Sequence, residues 1–234
     1  MGSFAEIRER AEKRKGGAGG LSVLLKPRPE LEVLRSMPDD RVLSEMTRYV
    51  FYAGFVRNVI DSKWPGFEAA FSGFDAGFLN LAPDDYWHDL TSDQRIVRNG
   101  AKIMSVRANA QFVRQLADEH GSAGRFLADW PPEDHIGLLA VLDKRADRLG
   151  GMSGQYFLRA IGRDSFVMSH DVLVCLRLAG LPISETKPTK KDLRLIQDQF
   201  NAWAAETGLP YTHLSRICAF SVGMPGEETG EEDH

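Results

Sequence analysis

The spacing of apolar residues decides the fold class of this chain before any other feature. Between Ala101 and Ala117 the residues Ile103, Val106, Ala110, Val113 and Leu116 fall at steps of three and four, which places them on one face of an α-helix. The same steps recur at Val42, Met46, Val50, Ala53 and Ile60, through Ile136 to Leu149, at Ile196, Phe200 and Trp203, and at Leu214, Ile217 and Cys218. No long run alternates apolar and polar residues as a half-buried strand requires. Asp39-Asp40 and Pro83-Asp84-Asp85 supply helix starts, whereas Gly16-Gly17-Ala18-Gly19-Gly20, Trp64-Pro65-Gly66 and Trp130-Pro131-Pro132 supply breaks. The pattern predicts an all-α protein whose first core helix runs from Val42 to Ile60 and ends near Trp64-Pro65-Gly66. A chain of 234 residues can bury one sizeable core or fill two lobes.

Composition narrows the function classes. With 43% hydrophobic and 26% charged residues, disorder and coiled coil fail as whole-chain answers. The formal net charge is −4, from 29 Lys and Arg against 33 Asp and Glu, so any nucleic-acid contact must use a local basic patch. Cys175 and Cys218 are the only cysteines; both lie among apolar residues and read as buried small hydrophobes in a reducing compartment. The charged N-terminus carries no apolar signal core, and no run of eighteen apolar residues follows, so no membrane partner is expected and the cytoplasm is the expected location. Residues Gly226 to His234, rich in Glu and Asp, read as an acidic tail without a site.

The most informative stretch begins at Arg148. Leu149-Gly150-Gly151-Met152-Ser153-Gly154-Gln155-Tyr156-Phe157 sets a small-residue turn between two apolar-periodic helices, which lets backbone approach an anion closely. About a dozen residues beyond it, in Phe166-Val167-Met168-Ser169-His170-Asp171-Val172, a carboxylate stands just before another helix. Taken singly, the turn is also a plain connection between helices and Asp171 is also an N-cap.

In this order and spacing the two segments resemble the helix-hairpin-helix base-excision DNA glycosylases. Upstream, Ala53-Gly54-Phe55, Phe67 to Asp75, Ile96 to Ile103 and Asn109-Ala110 are similar to the corresponding blocks of the type I DNA-3-methyladenine glycosylases, so the resemblance runs from about Asp39 to Gly223. It implies a two-lobed helical fold: residues 1–38 as a helical arm on the second lobe, 39–132 as the first lobe, 133–223 as the hairpin lobe with Asp171, and 224–234 as a disordered acidic tail, with a cleft between the lobes. It also implies a monofunctional glycosylase that acts as a monomer, flips alkylated purines of the 3-methyladenine kind out of duplex DNA and hydrolyses their N-glycosidic bond. The alternative is a non-catalytic module that binds damaged DNA.

Departures from the family refine what the resemblance implies. Gly150 and Ser153 stand where the hairpin consensus has Pro and a second Gly, and Gln155 stands where members that also nick the strand carry a lysine nucleophile. Without that amine no Schiff base forms there, which implies no lyase activity. No cysteine precedes Cys175, so the zinc site of the bacterial enzymes is not expected, nor is an organic cofactor, although a monovalent cation on hairpin carbonyls fits the family. Tyr49 and Arg57 stand where those enzymes carry a Glu and a Trp.

Each residue then receives an expected role. Asp171 is the catalytic group, because a carboxylate near C1′ stabilises an oxocarbenium-like transition state and orients or deprotonates water. An alkylated purine is already a cationic leaving group, which suits a single carboxylate. Tyr49, Tyr52, Phe55, Trp64 and Tyr156 are the expected base pocket, with Phe51 or Phe55 packing inward and Tyr49 or Tyr52 facing the cavity; the alternative for Tyr156 is the core of the hairpin. Gly150, Gly151, Ser153, Gly154, Gln155, Arg98 and Lys102 are the expected DNA-backbone contacts, although Arg98, Asn99 and Lys102 also suit a solvated helix start. Lys187, Lys190 and Lys191 form a basic loop, and His170, adjacent to Asp171, points away from it.

Overall fold

The computed structural model describes residues 3–25 and 27–223; the acidic tail expected at 224–234 lies outside the described residues. Among these the secondary structure is helical, with no strand. In chain order the α-helices are α1 (Phe4–Arg14), α2 (Gly17–Leu24), α3 (Leu31–Arg35), α4 (Asp39–Tyr52), α5 (Arg57–Ala70), α6 (Ala76–Leu81), α7 (Asp84–Leu90), α8 (Gly100–His120), α9 (Ala123–Asp129), α10 (His135–Arg145), α11 (Met152–Ala160), α12 (His170–Leu178), α13 (Lys190–Thr207) and α14 (Tyr211–Phe220). No helix among the described residues is long and apolar enough to cross a membrane.

The chain divides into two compact units. One comprises Met1–Pro29, Pro131–Gly137 and Asp164–His234. Its core joins Phe4, Ile7 and Ala11 of α1 to Val172 and Leu176 of α12, Ile196 and Phe200 of α13, and Leu214 and Ile217 of α14. Phe166 stacks on Phe200 with ring centroids 4.3 Å apart. The Asp164 carboxylate accepts from Tyr211 N (3.1 Å) and Thr212 N (2.9 Å), so a residue far off in sequence satisfies the first amides of α14. Gly16, at φ +78°, separates α1 from α2, but the glycine run does not end helical structure there, since α2 starts at Gly17.

The other unit comprises Glu30–Trp130 and Leu138–Arg163. This division differs from the expected one, which put residues 133–223 together in the hairpin lobe. The physical reason is the shared core: Leu138, Leu142, Leu149, Phe157, Leu158 and Ile161 are buried with Val42, Met46, Val50, Phe51, Val106 and Val113, and α11 packs on α4. The single helix expected from Val42 to Ile60 is also two. Gly54 takes φ +88°, a left-handed conformation suited to glycine, and the chain turns between Tyr52 and Arg57 before α5 continues through the exposed Pro65.

A polar knot joins α4 to α5. The Glu68 carboxylate accepts two hydrogen bonds from Arg41 (2.9 and 3.0 Å), one from Ser44 Oγ (2.9 Å) and one from Trp64 Nε1 (3.1 Å). Burial pushes the Glu68 carboxyl up, but the bonds from Arg41, Ser44 and Trp64 outweigh it and hold it below its ordinary 4.5. A carboxylate depressed on folding contributes stability that is present above its unfolded value and is lost as pH falls through the folded one. The stability difference between wild type and Glu68→Gln, measured by urea unfolding from pH 7 downward, is therefore expected to be largest at neutral pH and to shrink below about 4.5; a difference independent of pH contradicts this.

Candidate functional site

Three groups carry the candidate chemistry: the hairpin turn, the start of α12, and the junction of α4 with α5. The hairpin turn joins α10 to α11 in the unit built on α4. Gly151 lies at φ 62°, ψ −133°, a region open essentially to glycine, and a Cβ on Gly154 would meet Leu149 O at 2.2 Å. Glycine is thus obligatory at both positions, for conformation at one and for close approach at the other. Gln155 is buried and its Nε2 donates to Gly151 O at 3.2 Å, which makes it a brace of the turn. Ser153 is half-buried on the first turn of α11 and Gly150 is half-buried in the loop. Asn109 of α8, fully buried, donates from Nδ2 to Asp147 O (3.1 Å) and accepts at Oδ1 from Asp147 N (2.8 Å). The sequence offers no signal for that contact, because the two residues are 38 positions apart.

Asp171 lies half-buried in the first turn of α12. The cap of α12 is Ser169, whose hydroxyl accepts from Val172 N at 3.4 Å. This removes the simplest structural use for Asp171, since helix capping is done by its neighbour; as an acidic residue at the helix N-terminus its charge is favoured by the dipole. His170 is exposed. One turn further on, Cys175 is buried beside Cys218 of α14, and hydrogen bonds from Cys218 and Ser221 draw the Cys175 thiol down despite its burial. Among the described residues no three His, Cys, Asp or Glu side chains group as metal ligands.

At the α4–α5 junction the expected pocket residues separate. Trp64 is 7% exposed, stacked on Phe67 (5.0 Å) and Phe74 (5.6 Å) and covered by the Arg48 guanidinium at 4.3 Å. That enclosure packs this expected pocket residue into the core of its unit. Phe51 is fully buried, and Phe55 is half-buried with the Lys102 ammonium 5.0 Å from its ring. Tyr49 and Tyr52 remain half-buried, edge to face at 5.3 Å, with the Arg57 guanidinium 4.3 Å from the Tyr52 ring and 5.9 Å from the Tyr49 ring. Burial, together with its hydrogen bond to Asp61, pushes the Tyr52 phenol up to about 12. Burial likewise raises the Glu45 carboxyl, against the pull of Arg48. Tyr156 is half-buried on α11.

Two expected DNA-backbone residues also part company. Arg98 is exposed, whereas Lys102 is 8% exposed and its ammonium donates to Val50 O (2.5 Å) and to Ala53 O. Those are carbonyls at the C-terminal end of α4, so Lys102 caps that helix from α8 and does not present its charge to a phosphate. Asn99 caps α8 by accepting from Lys102 N at 3.1 Å. Lys187, Lys190 and Lys191 are exposed.

Comparison with known proteins sets these groups in context. The methyladenine glycosylase family matches residues 35–137, a span that includes α4 and α5 but neither the hairpin turn nor Asp171. No curated protein matches the chain. Among solved structures, the 8-oxoguanine DNA glycosylase of Methanocaldococcus jannaschii is similar with a TM-score of 0.55 and 13% identity, covering 91% of this chain and 92% of that one. A mutant of 3-methyladenine DNA glycosylase I from Staphylococcus aureus gives 0.49 and 17%, covering 64% and 90%. The 8-oxoguanine DNA glycosylase of Thermotoga maritima gives 0.48 and 16%, covering 94% and 97%. The chain has the all-α fold of the helix-hairpin-helix DNA glycosylases. Over residues 35–137 the sequence is similar to the methyladenine glycosylase family.

The close approach at Gly154 gives a direct check on the hairpin. Gly154→Ala places a methyl group against Leu149 O, a backbone atom that can move only with the turn, and is expected to lower stability by about 2 kcal/mol or more. Thermal unfolding followed by circular dichroism measures it; an unchanged melting temperature contradicts the tight turn.

Proposed function

We propose that this chain is a monofunctional DNA glycosylase that works as a monomer in the cytoplasm, flips an alkylated purine out of duplex DNA and hydrolyses its N-glycosidic bond. The observation that carries this is at α12: Ser169 caps the helix, so the half-buried Asp171 beside it has no capping duty and is available to the reaction. The fold and the similarity over residues 35–137 support this class, and the aromatic junction of α4 and α5 offers a surface for a base.

Asp171 acts on the sugar. As the bond from C1′ to the purine nitrogen lengthens, positive charge develops on the sugar ring, and an ionised carboxylate there stabilises it. The same carboxylate accepts a proton from the water that attacks C1′, giving a sugar hydroxyl and a free base. The leaving purine, positively charged through its alkyl group, departs neutral and needs no second acid. Tyr49 and Tyr52 receive the flipped base, which a ring face holds by about 0.5–2 kcal/mol when the base is cationic. Extrusion itself costs a few kcal/mol, least for a damaged base. Gln155 has no amine to capture the opened sugar, so the strand is left intact.

The hairpin holds the DNA backbone through the N-terminal amides of α11, with Gly150, Gly151 and Ser153 allowing close approach, Gly154 letting the turn close on Leu149 O, and Arg98 adding charge. The reaction so proposed uses no organic cofactor, and a monovalent cation on the hairpin carbonyls stays within the proposal, since Asp147 O and Gly151 O each accept one side-chain hydrogen bond, from Asn109 and Gln155, and a carbonyl oxygen has two lone pairs.

Base release from methylated duplex DNA by wild type and Asp171→Asn, with DNA affinity measured in parallel, tests this function. Wild type is expected to release alkylpurine, and the variant to lose about 100-fold or more in single-turnover rate while its affinity stays within a few-fold. If neither protein releases a base and both bind DNA equally, the chain is a binding module for damaged DNA.

A further inference from the structure

The hairpin turn is shaped from outside itself. Asn109 sits in the middle of α8 with its side chain fully buried, a position where an apolar residue is the ordinary choice and an amide must have both ends satisfied. Both ends are spent on one residue, Asp147: Oδ1 takes its N–H at 2.8 Å and Nδ2 reaches its carbonyl at 3.1 Å. Two bonds to the N–H and the carbonyl of one residue fix its orientation as well as its position. The next residue, Arg148, holds φ +61°, which a non-glycine residue keeps only where its surroundings impose it. Its Nε donates to Ala101 O at 3.3 Å, again on α8. From Arg148 the chain passes through Leu149, Gly150 and Gly151 into α11, so the direction in which the first amides of α11 point follows from how Asp147 and Arg148 are held.

We propose that Asn109 is a positioning residue for DNA binding: by clamping Asp147 it sets the hairpin turn so that the N-terminal amides of α11 meet a phosphate. It touches no DNA itself. The proposal rests on the hairpin's role in the function given above, and it locates the control of DNA grip in α8, separate from the chemistry assigned to Asp171. Loss of the clamp lets Arg148 relax from its left-handed conformation, and the turn then loses the preorganisation that makes a helix N-terminus an anion site.

The test compares Asn109→Ala with Val113→Ala, a truncation of a buried aliphatic side chain one turn further along α8 that removes no hydrogen bond. For each, the melting temperature, the affinity for duplex DNA over a series of salt concentrations, and the single-turnover rate at saturating DNA are measured. Both variants are expected to melt lower. Asn109→Ala alone is expected to weaken DNA binding by about tenfold and to reduce the salt slope by about 1, as for the loss of one phosphate contact, with its saturated rate within a factor of about two of wild type. Should the alanine variant not fold, Asn109→Asp, which keeps the size and the acceptor and loses the donor, is measured in the same way. Wild-type affinity and slope in the Asn109 variant overturn the proposal, as does an equal loss in Val113→Ala, which would mark the effect as general softening. Wild-type protein that shows no salt-dependent DNA binding removes the function itself, an outcome distinct from both.

Discussion

Burial of α4 is the constraint on which its unit depends. Val42, Leu43, Met46, Val50 and Phe51 are all enclosed, and α8 and α11 both pack against this helix. Its end must therefore be closed without water, and the Lys102 ammonium from α8 does so by taking the carbonyls of Val50 and Ala53. Burial and the nearby Arg148 lower the Lys102 pKa, the cost of holding a cation where the helix dipole and two carbonyls need one. Because the turn at Gly54 follows at once, the same closure determines where Tyr52 and Arg57 stand. The aromatic junction and the hairpin are thus both laid out from one buried helix.

Charge at the junction is arranged in alternation with aromatic faces. Arg48 lies over Trp64 and pairs with Glu45 at 3.3 Å and Asp61 at 3.5 Å; Asp61 in turn accepts from Tyr52, and Arg57 covers that ring. Two guanidinium groups and two carboxylates leave the local charge near balance. Partly exposed pairs of this kind add little to stability, but they order the side chains around the two tyrosines, and order is what a recognition surface needs. In the unit that carries Asp171 the equivalent ordering is done by caps, with Ser169 at α12, the Thr189–Asp192 capping box at α13 and Asp164 at α14.

Helix type was legible in the sequence wherever an apolar stripe kept its period, as in α8, α10, α13 and α14. The break inside the stripe from Val42 to Ile60 was not, because a single glycine in a periodic segment is also tolerated within a helix and only the backbone angle of Gly54 settles the matter. Asp171 and the hairpin glycines stand close together in the sequence, and the resemblance to the helix-hairpin-helix glycosylases is what gives them their expected roles. Trp64 could not be distinguished from Tyr49 or Tyr52, since its enclosure depends on Arg48 of α4 and on Phe74 beyond the end of α5 as well as on Phe67 of its own helix. Lys102 read as a surface cation, for its partners lie 49 and 52 positions away. Asn109 gave no sign of its link to Asp147. Local chemistry shows in a sequence; caps and clamps supplied by distant residues do not.

Binding to duplex DNA that carries a pyrrolidine abasic analogue, cationic at the position of the sugar's developing charge, tests most directly whether Asp171 faces C1′, and it needs no knowledge of the preferred lesion. Wild type is expected to bind this duplex at least about tenfold more tightly than one with the neutral tetrahydrofuran analogue, and Asp171→Asn to bind the two alike. Equal affinity of the wild type for both duplexes would contradict the account, for it would mean that no carboxylate waits at the sugar.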